Sequence, residues 1–346
     1  LQDMYGIKIE ASPGYETLNI TVKFLKKFTK KAMKLVEQIL TEPTFPEKSV
    51  NKLRSQIMAS IQYKQKDPDE IASFEFLKKF YGEDHPYAVF SEGDPGIIGS
   101  MSRKDVVDFY ENNIAPQNTQ IVAIGNFKPE EFKEMFDKYL GDWERRGNEN
   151  KIGTFKEVEI ESTNYVKKLA NIKQAQILIG YKGTDYKGTD RYLLRLANSI
   201  LGGGSLTSIL GTEIRLDRGL AYYVYSTSRA KASGGFIKIG SGVSPENVDT
   251  YKKVIFDTIE RVKKEGFSKE DVEKNQNFIM GTMVTGLDNN STLAHFINNL
   301  YYDGGNIENL FKRIDTIGNA TPEQLKEIIN EYFNEDHIIV TVMPME

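Results

Sequence analysis

Apolar residues recur along this chain at two spacings that predict two kinds of element. Ala32, Leu35, Val36 and Ile39 fall at i, i+3, i+4 and i+7, the spacing of one helix face. The run Ile20–Lys23 just before them, with β-branched Thr21 and Val22, predicts a strand. Far along the chain the order returns: Phe236–Ile239 predicts a strand, and Tyr251, Ile255, Ile259 and Val262 predict a helix. Between the halves, Ser205–Ile214 suits a helix that Gly219 breaks, and Tyr222–Ser226 reads as a strand. Strands and helices mix without regular strand–helix–strand alternation, which predicts an α+β fold of mixed or antiparallel sheets flanked by helices.

The pattern is also an internal repeat. Phe45, Val50, Lys52, Ile57 and Met58 are answered by Phe267, Val272, Lys274, Ile279 and Met280, each pair 222 positions apart. The same offset joins Ala72 to Ala294, Phe74 to Phe296 and Gly82 to Gly304. After a small gap, Ser102 answers Thr321, each reading as a helix N-cap, and a strand at Ile121–Ala123 answers Val340–Val342. Two similar domains are therefore expected, residues 1–145 and 157–346. The polar stretch 146–156 is the expected linker. Only 44 residues precede Phe45, against about 110 between the linker and Phe267. The first domain is thus expected to lack about 60–70 residues at its start.

Composition narrows the function classes. A length of 346 residues, 39% hydrophobic, suits two packed domains. Net charge is −4 with a pI near 5.7, so no basic footprint calls for nucleic acid. The lysines at 26, 27, 30, 31 and 34 lie on the polar side of the first predicted helix and read as a solvated face. The chain has no Cys, which removes disulfides, thiolate nucleophiles and Cys-ligated zinc. No apolar run approaches the roughly 18 residues of a membrane span, and no membrane partner is expected.

Candidate chemistry is sparse. A helical zinc site needs two His one turn apart, and His85, His295 and His337 have no such partners. The richest stretch begins at Gly202, Gly203 and Gly204, where glycines permit positive φ and close backbone approach. It ends with Arg215, a planar fork of donors, and Tyr222, a single phenol donor. Both suit a peptide carbonyl in a cleft. Spacing alone favours a helix–turn–strand in which Arg215 pairs with an acid and Tyr222 packs.

At this point the residues resemble a known family. Gly202–Gly204, then Glu213-Ile-Arg215, Arg218-Gly-Leu-Ala-Tyr222 and Val224-Tyr-Ser226, are similar to the Arg/Tyr signature of the M16 (pitrilysin-like, mitochondrial-processing-peptidase-like) metallopeptidases. Phe45-Pro46, Asp84–Tyr87, Gly93–Gly96, Asp105–Tyr110 and Ala115–Asn118 extend the resemblance over nearly the whole chain. It implies two-domain units paired around a chamber. One unit carries zinc on an inverted His-x-x-Glu-His motif; the other supplies an Arg and a Tyr to hold the substrate backbone and oxyanion. On that implication Arg215 and Tyr222 bind substrate.

Two departures shape the expected role. No inverted zinc motif stands in the chain, and the family's third-ligand Glu would fall near Ser60, a poor substitute for a carboxylate. The resemblance therefore implies a non-catalytic, substrate-binding subunit of a bacterial heterodimeric member. It would bind no metal itself, pair with a zinc-bearing catalytic subunit, and take unstructured peptides. The cytoplasm and the periplasm both remain open as its compartment. Two alternatives stand beside it: a structural or binding relative of the core-protein kind, and an active zinc endopeptidase whose zinc segment is missing from this chain.

Overall fold

In chain order the elements of the computed structural model are α1 (Gln2–Tyr5), β1 (Lys8–Pro13), β2 (Leu18–Lys23), α2 (Thr29–Thr41), α3 (Glu47–Lys64), α4 (Pro68–Tyr81), α5 (Pro95–Ser100), α6 (Arg103–Asn113) and α7 (Pro129–Leu140). Then follow β3 (Thr163–Leu169), β4 (Ala175–Lys182), α8 (Arg191–Asn198), α9 (Ile209–Gly211), β5 (Tyr225–Arg229), β6 (Phe236–Val243), α10 (Val248–Glu265), α11 (Lys269–Gly286), α12 (Asn290–Tyr302), α13 (Ile307–Gly318), α14 (Pro322–Tyr332) and β7 (His337–Pro344). The structure describes residues 2–145, 147, 149, 158–302 and 305–345. The linker expected at 146–156 lies outside them, apart from Gly147 and Glu149. The fold is α+β, with sheets flanked by helices.

The chain forms two compact units, and neither is continuous in sequence. Unit 1 comprises Leu1–Ile61, Ser91–Gly153 and Gly286–Asn299; unit 2 comprises Gln62–Phe90, Thr154–Thr285 and Leu300–Glu346. Each takes a segment from the other half of the sequence. Residues 62–90 shifted by 222 become 284–312, a range that contains Gly286–Asn299, so the two lent segments are counterparts in the repeat.

The repeat has physical causes that the side chains make visible. Helices α3 and α11 are both 18 residues long and start 222 positions apart. Before α4, the Asp67 carboxylate accepts from the backbone N–H groups of Asp69 and Glu70; before α12, Asn289 accepts from Ser291 and Thr292. Arg54 Nη1 donates to the Met101 carbonyl at 2.6 Å, just ahead of the capping box Ser102–Asp105. Gln276 Nε2 donates to the Ala320 carbonyl at 3.0 Å, just ahead of the capping box Thr321–Gln324. An Arg and a Gln thus satisfy the same backbone oxygen in the two units.

Unit 2 is built on a five-stranded sheet of order β3-β7-β4-β6-β5, parallel between β3 and β7 and antiparallel elsewhere. Alternation along β4 and β6 sends Ile177, Ile179, Ile237 and Ile239 to one face, where they form a core with Leu194, Tyr251, Ile255, Leu325 and Ile329 of α8, α10 and α14. Leu178, Phe236, Val340 and Val342 face the other way, onto Ile71, Ala72, Phe76 and Phe80 of α4. Phe76 is fully buried, and its ring fills the space over Gly180, where an added Cβ would lie 2.1 Å from it. Burying such a ring contributes about 1.5–3 kcal/mol.

Among the described residues, unit 1 holds the hairpin β1-β2 as its sheet. Its core gathers Met33, Leu40, Leu140 and Trp143, and the Tyr110 hydroxyl donates to the Leu40 carbonyl at 2.6 Å. The strand expected at Ile121–Ala123 is absent: these residues join no ladder. Its counterpart β7 lies between β3 and β4. An apolar β-branched run forms a strand only with a ladder partner, and among the described residues this one has none.

Candidate functional site: the glycine-rich turn and the Arg215–Tyr222 pair

The stretch from Asn198 to Tyr225 departs from the expected helix and strand, and the departures bring two side chains together. After α8 the chain continues as a π-helical turn, Ser199–Gly203, that carries the first two of the three glycines. None of Gly202, Gly203 and Gly204 has positive φ, so left-handed backbone is not why they are glycine. Gly202 is needed for close approach, because a Cβ there would lie 2.5 Å from the Ser226 Cβ. The buried Asn198 side chain clamps the same strand, donating to the Ser226 carbonyl at 3.0 Å and accepting from the Ser226 hydroxyl.

The helix expected at Ser205–Ile214 begins later, at Ile209, behind a Ser208 cap, and runs on as a π-helical segment, Thr212–Asp217. Serine competes for backbone hydrogen bonds and so favours the cap over the helix interior. Leu210 and Ile214 are buried and anchor this segment, which leaves Arg215 half-buried at its side. Gly219, at φ 59°, turns the chain, and the Leu220 N–H returns to the Ile214 carbonyl at 2.9 Å. Ala221 makes a single bridge to Val243, and the strand starts only at Tyr225, not at Tyr222 as its β-forming residues predict.

Tyr222 therefore projects from a turn and is 77% exposed. The Arg215 guanidinium carbon sits 4.6 Å from its ring centroid, a cation–π contact worth about 0.5–1 kcal/mol at an exposed site. Arg215 Nη1 also reaches the Ser205 hydroxyl at 3.5 Å, and among the described residues no ion pair involves Arg215. The two neighbouring tyrosines are held. Tyr223 donates to Gln176 Oε1 at 3.1 Å, and Tyr225 lies across Gly240; burial raises both phenol pKa values. Arg218, three residues beyond Arg215, is tied to the Glu213 carboxylate, which also takes Arg261 at 2.7 Å. Of two arginines on one turn, one is bound to an acid and the other rests over an exposed ring.

Unit 1 places Ser60 on α3, where its hydroxyl donates to Glu92 Oε1 at 3.3 Å, with Ser91 donating to Glu92 Oε2 at 2.7 Å. The sequence carried no signal for Glu92, because 32 residues separate it from Ser60 and no motif joins them. The histidines are scattered: His85 stacks on Tyr81 at 4.7 Å, His295 contacts Asn299, and His337 opens β7. Among the described residues no group of three or more His, Cys, Asp or Glu is placed to hold a metal ion. A carboxylate taken up by serine hydroxyls, with no imidazole pair beside it, does not fit zinc. No helix among the described residues is long and apolar enough to cross a membrane.

The family profile described as "Peptidase M16 inactive domain" matches residues 100–278, more than half of the 346, and the chain belongs to that family. The resemblance read from the Arg/Tyr stretch therefore holds at the level of family. Among its relatives is the "Uncharacterized zinc protease YmxG" of Bacillus subtilis, 22% identical over 343 residues, covering 99% of this chain and 82% of that protein. The "Non-peptidase homolog YmxG" of Helicobacter pylori is 22% identical over 307 residues, covering 87% of this chain and 68% of its own length. The crystal structure of a peptidase M16 inactive domain from Pseudomonas fluorescens superposes with a TM-score of 0.91 at 21% identity, covering 99% of this chain and 82% of that one. At such identities the match establishes the fold.

Proposed function

We propose that this chain is the non-catalytic, substrate-binding subunit of a heterodimeric zinc metallopeptidase. Arg215 and Tyr222 are its contribution to the reaction. The observation that carries the reading is Arg215 itself. Among the described residues it has no carboxylate partner, and it lies over an exposed phenol, while Arg218 beside it is spent on Glu213. Zinc chemistry belongs to the partner subunit. Here the guanidinium edge offers N–H donors to the oxyanion that forms as a peptide carbonyl is attacked, and the Tyr222 hydroxyl donates to a neighbouring carbonyl. The ring beneath Arg215 sets the plane of those donors without consuming them. Of the glycine-rich turn beside the pair, Gly203 is exposed and offers backbone without a side chain of its own to an extended peptide. The name of the Helicobacter pylori relative, a non-peptidase homolog, agrees with a role without catalysis of its own.

The test is reconstitution. Mixed with its zinc-bearing M16 partner, the chain raises cleavage of an unstructured peptide well above that of the partner alone; by itself it cleaves nothing. If the mixture is no more active than the partner and the chain binds no peptide, the pair is structural and the scaffold reading replaces this one.

A further inference from the structure

Beside the glycine-rich turn, unit 2 contains a cavity of about 270 Å³ between the end of α8 and the edge strand β5. Arg195 and Arg229 both line it, with Thr227 and Ser228 along β5, and no Asp or Glu is among its lining residues. Neither arginine makes an ion pair among the described residues. Both side chains are exposed at its rim; partial desolvation, and then the charge of Arg229, lower the pKa of Arg195. Lys238, next along the same sheet, is lowered by desolvation first and also feels Arg229; Asp69 and Glu70 act on Lys238 in the opposite sense. Arrangements of this kind are relieved by an anion, and the planar fork of Arg takes a carboxylate through two parallel hydrogen bonds.

The geometry points to an oxyanion subsite at Arg195 and Arg229 that receives the carboxylate of a bound peptide. The inference rests on the peptide-binding reading of Arg215 and Tyr222. Gly203 lines the cavity, and Ser205, two residues on, touches Arg215, so at most roughly 7 Å of chain joins the two places. A peptide whose carbonyl lies on the Arg215–Tyr222 pair reaches the cavity within a residue or two. The volume suits one terminal residue and its carboxylate, being below the ~300–1,000 Å³ of whole small-molecule pockets. Strand β5 offers edge backbone groups for an extended segment on the way.

The experiment is calorimetric titration of the purified chain with one unstructured peptide that lacks Asp and Glu, as free acid and as C-terminal amide. The free acid is expected to bind about tenfold more tightly. Arg195→Gln and Arg229→Gln each abolish the difference, Arg195→Lys keeps part of it, and inorganic phosphate weakens the free acid alone. Should a Gln variant fail to fold by circular dichroism, the wild-type comparison and the phosphate arm still decide. Equal binding of acid and amide overturns the subsite. If both then weaken with Arg215→Ala, the peptide-binding reading survives without it. Phosphate binding with neither peptide bound marks a free-anion site and removes both proposals.

Discussion

Units 1 and 2 run through the same order of hairpin, long helices and capped helix, yet the same helix position does opposite work in them. Phe76 on α4 buries its whole ring on the five-stranded sheet of unit 2. Its counterpart 222 positions on, Asn298 on α12, makes polar contacts in unit 1: it donates to Asn19 Oδ1 at 3.2 Å, and Gln120 donates to its side-chain oxygen at 3.0 Å. The apolar partner exists only where a full sheet exists. Positions that repeat, such as Asp67 with Asn289 and Ser102 with Thr321, cap and fasten helices.

That contrast predicts unequal costs. Phe76→Ala leaves a cavity between α4 and the sheet and is expected to lower stability by about 3–5 kcal/mol, read by urea denaturation of the whole chain. Asn298→Ala removes hydrogen bonds at a partly buried site and is expected to cost only about 0.5–1.5 kcal/mol. Similar losses at the two positions would show that α4 and α12 are equivalent after all. A smaller effect follows from His85 in unit 2, whose pKa burial holds below 6.5. A depressed folded value means stability present above pH 6.5 and lost as the pH falls through that lowered value. The melting temperature therefore declines on acidification below about pH 6.5, and His85→Gln flattens that part of the profile. At the bottom of the scale is an expected null. Ser60→Glu restores a carboxylate to α3 but no imidazole pair, so metal analysis after zinc exchange finds no stoichiometric zinc in either form.

The helices were legible because their signals are local. Apolar spacing at Tyr251–Val262, the caps at Ser102 and Thr321, and the equal lengths of α3 and α11 need no distant partner. The misses are non-local. Ile121–Ala123 has strand composition but no ladder, and Tyr222 heads a run of β-forming residues but sits in a turn set by Gly219. The glycines at 202–204 were legible as a site for close approach, though not in their φ values, because the contact with Ser226 forms only after folding. Arg195 and Arg229 carried no motif: two cations without an acid are visible only where the chain brings them to one cavity.

The central claim is that Arg215 is free for substrate while Arg218 is committed to the fold. It is tested most directly by kcat of the reconstituted heterodimer for one peptide, with Arg215→Ala, Tyr222→Phe and Arg218→Ala side by side and assembly checked by sizing. Arg215→Ala and Tyr222→Phe are expected to lower kcat about 10²–10³-fold with the complex intact, as loss of one oxyanion donor does. Arg218→Ala breaks a surface ion pair worth about 0–1 kcal/mol and is expected to leave kcat near wild type. Wild-type turnover in both Arg215→Ala and Tyr222→Phe would contradict the account.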